Sequence, residues 1–468
     1  MKMRNMMLAA ALALPLVGQE AAPAPESAPA EAPAAEAEAP SAAAALASAL
    51  EKMAADNSDD FYPAVAAVLD AGGSEADFAP LMREAAKNGA PAAQLWWAHQ
   101  NLERLVVKGG DAVDADEAVR AAKSLAEAAK KGYVPALMEQ SRMAGAGIGR
   151  QPSEKEGLRL LAEACKGGSV RARAAYLLVS GRLDAGDWTL PEVVSELEKQ
   201  NCYLEEMIAS FYGADDERAR EWFERAAAHG SPRAAYVLSQ SFEEAIPEDR
   251  AAAYLRQAAD GHMPEALAAV AMLELSGDGQ IVPVDKAKGL RHLQESLLLG
   301  YQPVAVTLAS RYMEEPQTYS PERILALYKN AAELGDGRAM VAYAYCVATG
   351  RGCAADAEAG RAMLKSLAFN GMPYASMALA DMEFNGVGAE PDVRAAVNAL
   401  GEAASAGLPQ CYTLMAALTA MGTEKTPGDA RRAESFLRMA EENNEQSPRE
   451  VYQSLMQEKG WHFLPPAP

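Results

Sequence analysis

A metal site or an acid–base centre in this chain would have to be built from few parts. The histidines are His99, His229, His262, His292 and His462, and none stands at His-x-x-x-His or His-x-His spacing, the intervals that aim two imidazoles from one face at a zinc ion. The cysteines, Cys165, Cys202, Cys346, Cys353 and Cys411, are odd in number and contain no Cys-x-x-Cys. Cys346 and Cys353 are near enough to form a disulfide or to stand as two free thiols. No Gly-x-x-x-x-Gly-Lys-Ser/Thr loop is present to cradle phosphate. No serine occupies a Gly-x-Ser-x-Gly elbow or has a lysine three positions on, so the common serine-nucleophile signatures are missing. With 65 Asp and Glu residues, acidic pairs arise by accident, and such a pair on a helix reads first as a solvated face. The sequence therefore assigns no catalytic residue, no metal ligand and no cofactor.

Charge narrows the partners. A formal net charge of −22 argues against nucleic acid or an anionic membrane surface, because phosphate binding needs a basic stripe. The densest basic spot, Arg171 and Arg173, reads as a solvent-facing helix. Net charge of this size keeps a long, exposed molecule soluble.

What could position a site is a recurring frame of small residues. Gly335 is followed by Ala339, Tyr343, Ala344, Gly350 and Gly352, and Gly371 at the same offsets by Ala375, Leu379, Ala380, Gly386 and Gly388. Gly132 gives Ala136, Ser141, Gly147 and Gly149, and His262 holds the glycine slot of another copy with Ala266, Val270, Ala271, Gly277 and Gly279. Weaker copies start at Gly89, Gly168, Gly230, Gly300 and Gly407, and a degenerate one lies near Asn201. A period of about 36 residues over about ten copies marks stacked supersecondary units. Each copy reads as two helices. Small residues four and nine positions after the glycine share nearly one helical face and let a neighbour approach closely. A Gly-x-Gly turn ends the first helix. A cap such as Ser153-Glu-Lys-Glu156 starts the second, which ends in an Ala-Ala-x-x-Gly run such as Ala331 to Gly335. Aromatic content is 6% and alternating β-branched runs are absent. The expected fold is all-α, a right-handed α-solenoid of stacked helix-turn-helix repeats.

The run Ala331-Ala-Glu-Leu-Gly335, then Arg338-Ala-Met, then Gly350-Arg-Gly352, resembles the Sel1-like repeat (SLR) family, relatives of the tetratricopeptide repeat, over roughly residues 80–440. Copies at Gly168, Gly230 and Gly300 depart from it by lacking the Gly-x-Gly turn, and the Gly407 copy keeps only Gly422. The resemblance implies a concave groove, lined mainly by first helices, that holds peptides or protein segments. Cysteine-rich secreted relatives staple each helix pair with a disulfide across an eight-residue spacing, and no cysteine pair here has that spacing. Cys411 sits in a slot that other copies give to alanine and reads as a small core residue. Some relatives have been regarded as β-lactamase-like, which gives weight to the missing serine–lysine signature.

By analogy with the tetratricopeptide groove, the tenth position after the glycine faces inward. It reads His99, Arg142, Gln240, Met272, Ser310, Tyr345, Asp381 and Ala417, while the ninth is almost always small. A position that varies between constant neighbours is either free of constraint or used for recognition. The candidate protein-binding groove is therefore His99, Arg142, Tyr236, Gln240, Ser310, Tyr345 and Asp381, with Tyr236 and Tyr345 as aromatic anchors or core residues.

Lys2 and Arg4 precede an apolar run from Met6 to Val17, too short to span a bilayer, which reads as a secretory signal over 1–19. Residues 20–43 are an Ala/Pro/Glu-rich tract with Pro23, Pro25, Pro29, Pro33 and Pro40 and read as a disordered tether. The solenoid would occupy 44–460 and a tail 461–468, in which Trp461 and Phe463 are expected to cover the last helix pair. Together these features describe an exported, periplasmic or secreted, non-catalytic scaffold that binds a protein or peptide, without membrane insertion once the signal is removed. A cell-wall hydrolase using groove carboxylates and a passive spacer are the alternatives.

Overall fold

The computed structural model describes residues 40–107, 115–148, 151–183, 188–212, 216–242, 245–277, 282–315, 317–443, 447–458 and 461–464. The export signal over 1–19, and the 20–43 tract up to residue 39, lie outside the described residues. Among the described residues the secondary structure is helical, with no strand. Packing divides the chain after Tyr301 into two compact units.

The first unit runs α1 (Ala42–Ala55), α2 (Tyr62–Asp70), α3 (Glu75–Lys87), α4 (Pro91–Val107), α5 (Ala115–Lys130), α6 (Val134–Ala146), α7 (Glu154–Lys166), α8 (Val170–Val179), α9 (Pro191–Glu198), α10 (Cys202–Ser210), α11 (Glu217–Ala228), α12 (Pro232–Gln240), α13 (Glu248–Asp260), α14 (Pro264–Ser276) and α15 (Lys286–Leu298). The second opens with a 3-10 turn, Gln302–Val304. It continues through α16 (Ala305–Met313), α17 (Pro321–Glu333), α18 (Gly337–Thr349), α19 (Ala357–Phe369), α20 (Pro373–Asn385), α21 (Val393–Ser405), α22 (Cys411–Met421), α23 (Ala430–Glu442) and α24 (Pro448–Glu458). Most helices pack on the helices before and after them in sequence, which is how stacked helix-turn-helix repeats bury a continuous core.

The two helices of a repeat differ in what they bury. In α20 every residue from Ala375 to Asp381 and on to Met382 is buried, and α18 and α22 are enclosed almost as fully. In α19, α21 and α23 a single stripe is buried, for example Ala433, Leu437 and Ala440. A helix apolar all round is a buried helix, and one with a single stripe is a surface helix. First helices therefore form an inner layer, in which α18 touches α20 directly, and second helices an outer one.

Turn chemistry explains the frame. Gly350 takes φ +76° as the left-handed cap of α18, and Gly386 does the same for α20 at φ +72°. The second glycine of the turn is needed for a different reason: a Cβ on Gly352 would stand 2.3 Å from the carbonyl oxygen of Pro321. The turn of one repeat thus lies against the start of the preceding second helix, and only a residue without a side chain fits. Short acceptors start the next helix, as where the Asp336 carboxylate accepts from the Ala339 amide at 2.9 Å. The Ser153 hydroxyl accepts from the Glu156 amide at 3.3 Å, while the Glu156 carboxylate pairs with Arg159.

Two glycine slots hold other residues in the same left-handed conformation, His262 at φ 60° and Gln200 at φ 57°. Gln200 fixes the start of the degenerate copy near Asn201. All five cysteines are free thiols, with Cys411 and Cys346 buried and Cys353 exposed. Burial pushes the Cys346 thiol up to about 12.

The first unit closes upon itself, because α2 and α3 reach α15. The Arg291 guanidinium meets Asp70 at 2.6 Å, and the Tyr62 hydroxyl donates to Glu295 at 3.4 Å. Between α1 and α2, residues 57–62 run across several repeats. Asn57 accepts from the Val134 amide at 3.0 Å, and the Ser58 carbonyl accepts from the Tyr133 hydroxyl. Asp59 pairs with Arg171, Asp60 with His262 at 3.1 Å, and the Tyr62 ring stacks on His262 with centroids 3.6 Å apart.

Candidate functional site

In the second unit, consecutive first helices bring Tyr345 of α18 and Asp381 of α20 together. The Tyr345 hydroxyl donates to the Asp381 carboxylate, and both side chains are buried. Burial, followed by the Asp381 charge, raises the tyrosine pKa, so the phenol stays protonated as the donor. Asn385, one helical turn beyond Asp381, donates to the same carboxylate at 2.7 Å.

This pair carries a segment of the chain's own tail. Trp461, Phe463 and Leu464 are all buried. The Phe463 ring packs edge-on against Tyr345 with centroids 5.3 Å apart. Asn385 donates to the Trp461 carbonyl at 3.1 Å and Arg351 to the Leu464 carbonyl at 3.1 Å. The His462 Nδ1 lies 3.5 Å from an Asp381 oxygen, with the ring 39% exposed. The guanidinium of Arg351 also sits over the Tyr345 ring, 5.3 Å from its centroid, a cation–π contact. The tail aromatics thus reach back to α18 and α20, helices well before the last pair, α23 and α24.

In the first unit the tenth-position residues His99 and Arg142 meet through a residue between them in the structure, Glu139. Arg142 grips its carboxylate through Nη2 at 2.6 Å and Nε at 2.9 Å, and His99 Nε2 lies 3.6 Å away. Burial alone would raise the Glu139 carboxyl. The hydrogen bonds and charges of His99 and Arg142 outweigh it and hold the group at about 2, as charge-assisted pairing does. Phe61, in the segment that crosses the unit, packs edge-on against His99 at 6.5 Å.

The other candidates have different surroundings. Tyr236 is half-buried against the core of α10 to α14, with its hydroxyl pKa raised by burial. Gln240 donates to its neighbour Ser239 at 3.1 Å. Ser310 is buried and donates to the Val306 carbonyl of its own helix at 2.9 Å, which turns it inward to the backbone.

Several buried carboxylates sit between helices with a basic partner: Glu205 with His229 at 2.7 Å, Glu274 with His292 at 2.7 Å, and Glu196 with Arg173 at 2.9 Å. Each is a single buried carboxylate met by a side chain from a neighbouring helix or its cap, an arrangement that ties neighbouring helices together. Sequence reasoning passed over Glu139, Arg351 and Asn385. A signal for two of them existed, since Glu139 is three residues from Arg142 and Asn385 four from Asp381, the spacings that face each other on a helix.

The Sel1 repeat family model matches residues 141–169, 209–231, 234–262, 264–301, 337–368 and 373–408. This chain carries Sel1 repeats. The matched stretches contain Arg142, Tyr236, Gln240, Tyr345 and Asp381; the grip of α18 and α20 lies within them, while His99 and Glu139 lie outside. A curated relative, an uncharacterized protein of Neisseria meningitidis serogroup B, is 24% identical over 293 residues, which is 62% of this chain. The chain spans 62% of that relative's length. Among solved structures, a protective antigen of uropathogenic Escherichia coli strains that displays an SLR fold aligns over 90% of this chain and 87% of its own, with 17% identity and a TM-score of 0.41. A Sel1 repeat protein from Oxalobacter formigenes aligns over 80% of this chain and 90% of its own, with 20% identity and a TM-score of 0.36.

Proposed function

We propose that this Sel1 repeat protein is an exported, non-catalytic scaffold that holds protein or peptide segments against its inner layer of first helices and serves as an adaptor or assembly factor in the cell envelope. The observation that carries this reading is the grip on residues 461–464. A non-helical segment lies against two first helices, with two of its carbonyls met by Asn385 and Arg351 and its rings buried. Side chains that bind backbone carbonyls are indifferent to sequence and suit any extended peptide, while buried rings supply contact area and selectivity. Export rests on the basic, then apolar, N-terminal sequence.

The test is capture of partners from envelope extract on immobilised mature chain, comparing wild type with Arg351→Ala/Asn385→Ala and with His99→Ala/Arg142→Ala. A partner lost from either variant, at unchanged helicity by circular dichroism, supports the reading. Capture that neither pair of substitutions alters removes it.

A further inference from the structure

We propose that Trp461–Leu464 is an intramolecular ligand of the α18–α20 groove, and that the groove's external partner is a segment of another protein with the same chemistry: aromatic, basic, aromatic, aliphatic. This rests on the reading of the groove as a peptide receptor and adds the identity of the peptide and its regulation.

Four contacts define the class. Trp461 and Phe463 are buried two positions apart, with Phe463 against Tyr345. Leu464 is 1% exposed, so an aliphatic side chain fills the last position. Between the aromatics, His462 faces the buried Asp381 carboxylate, and an imidazole, lysine or arginine there complements its charge. The two carbonyl contacts, Asn385 to Trp461 and Arg351 to Leu464, are available to any peptide backbone.

The tail is suited to exchange. It is held by rings and by hydrogen bonds that a competitor reproduces one for one. Being tethered, it acts at an effective concentration on the order of millimolar. A foreign segment of equal intrinsic affinity is therefore excluded until it is abundant, or until other repeats add to its binding. The apparent affinity for that segment is lowered by the fraction of molecules whose groove is open.

The test uses the full-length chain and a fluorescent peptide with the sequence of residues 459–468. The variant Trp461→Ala/Phe463→Ala, which keeps every residue of the groove, is expected to bind the peptide at least about tenfold more tightly than wild type. A peptide with both aromatics replaced by alanine is expected not to bind. Equal affinity of wild type and variant overturns the proposal. A readout free of tail substitutions is wild-type chain labelled with 5-fluorotryptophan, whose five tryptophans give resolvable fluorine lines. Excess unlabelled peptide should move the Trp461 line to its solvent-exposed position, and a line that stays fixed overturns the proposal. A concentration-dependent dimer of wild type that disappears in the variant assigns the groove to the tail of a second copy and overturns the choice of a foreign segment. Selection of random peptides on the variant separates the two levels of the argument. Peptides without the aromatic–basic–aromatic–aliphatic pattern remove this inference and leave the groove reading standing; no selected peptide at all removes both.

Discussion

His262 holds a backbone conformation that other copies give to glycine, at φ 60°, where a side chain costs about 1–2 kcal/mol. Its ring stacks on Tyr62 and pairs with Asp60, and a ring stack returns about 0.5–1.5 kcal/mol. His262→Gly is therefore expected to be nearly neutral in wild type and to stabilise by about 1 kcal/mol in a Tyr62→Ala background. Urea midpoints of the four proteins in that cycle decide it; strictly additive effects would remove the compensation. Glu139 gives a pH-dependent counterpart. Its carboxyl sits at about 2 against an ordinary 4.5, so the stabilisation is complete above the ordinary value and is lost as pH falls through the lower one. Glu139→Gln should thus be less stable than wild type at pH 7, with the difference vanishing near pH 2 by thermal melts across that range. A difference that does not change with pH would contradict the grip of His99 and Arg142. At this scale the sequence was partly legible. Tyr345 and Asp381 share one register position in adjacent copies and stand together in the fold. Glu139 faces Arg142 within its own helix, a local spacing, whereas Arg351 acquires meaning only from neighbours that the fold supplies.

Helix pairs are the level at which the sequence reads most directly, since glycine turns, caps and small-residue faces are local. Departures from the Gly-x-Gly turn at Gly168, Gly230 and Gly300 do not interrupt the helix order, because the glycine slot itself keeps positive φ in each. Close packing of first and second helices makes a sharp contrast between two glycines of the outer layer. In α19, a Cβ on Gly360 would stand 2.5 Å from the Ala348 Cβ and 2.6 Å from the Ala344 carbonyl oxygen. In α21, a Cβ on Gly401 meets only the flexible end of Met415 at 3.9 Å. Gly360→Ala should cost about 1–3 kcal/mol through overpacking, and Gly401→Ala should stabilise by about 0.5–1 kcal/mol through reduced chain entropy. Opposite signs in chemical denaturation are the expected outcome; stabilisation by both would show that α18 and α19 do not approach as described.

Across the whole molecule, each unit places a segment of its own chain against its repeats, residues 57–62 in the first and 461–464 in the second. Packing of the tail aromatics on the helices was legible in the sequence, but its place was not, nor was the path of residues 57–62, because contacts such as Asp60 with His262 join residues 202 positions apart and Asn385 with the Trp461 carbonyl 76 apart, beyond any local pattern. Repeats present the same inner positions many times, so a scaffold of this kind gains partners by placing different side chains on one frame. Export is a claim about the same whole chain: mass spectrometry of protein from a cell-envelope fraction should find a mature N-terminus close to residue 19, and an intact Met1 would contradict it. The most direct test of the central claim, that first helices hold a partner's chain, is photo-crosslinking in living cells with benzoylphenylalanine at position 145 of α6, one helical turn beyond Arg142, where an added side chain meets no neighbour within 4 Å, compared with Lys365 on the exposed face of the outer helix α19. A discrete adduct with another protein is expected from position 145 and none from position 365; adducts from 365 alone, or none from 145, would contradict the claim.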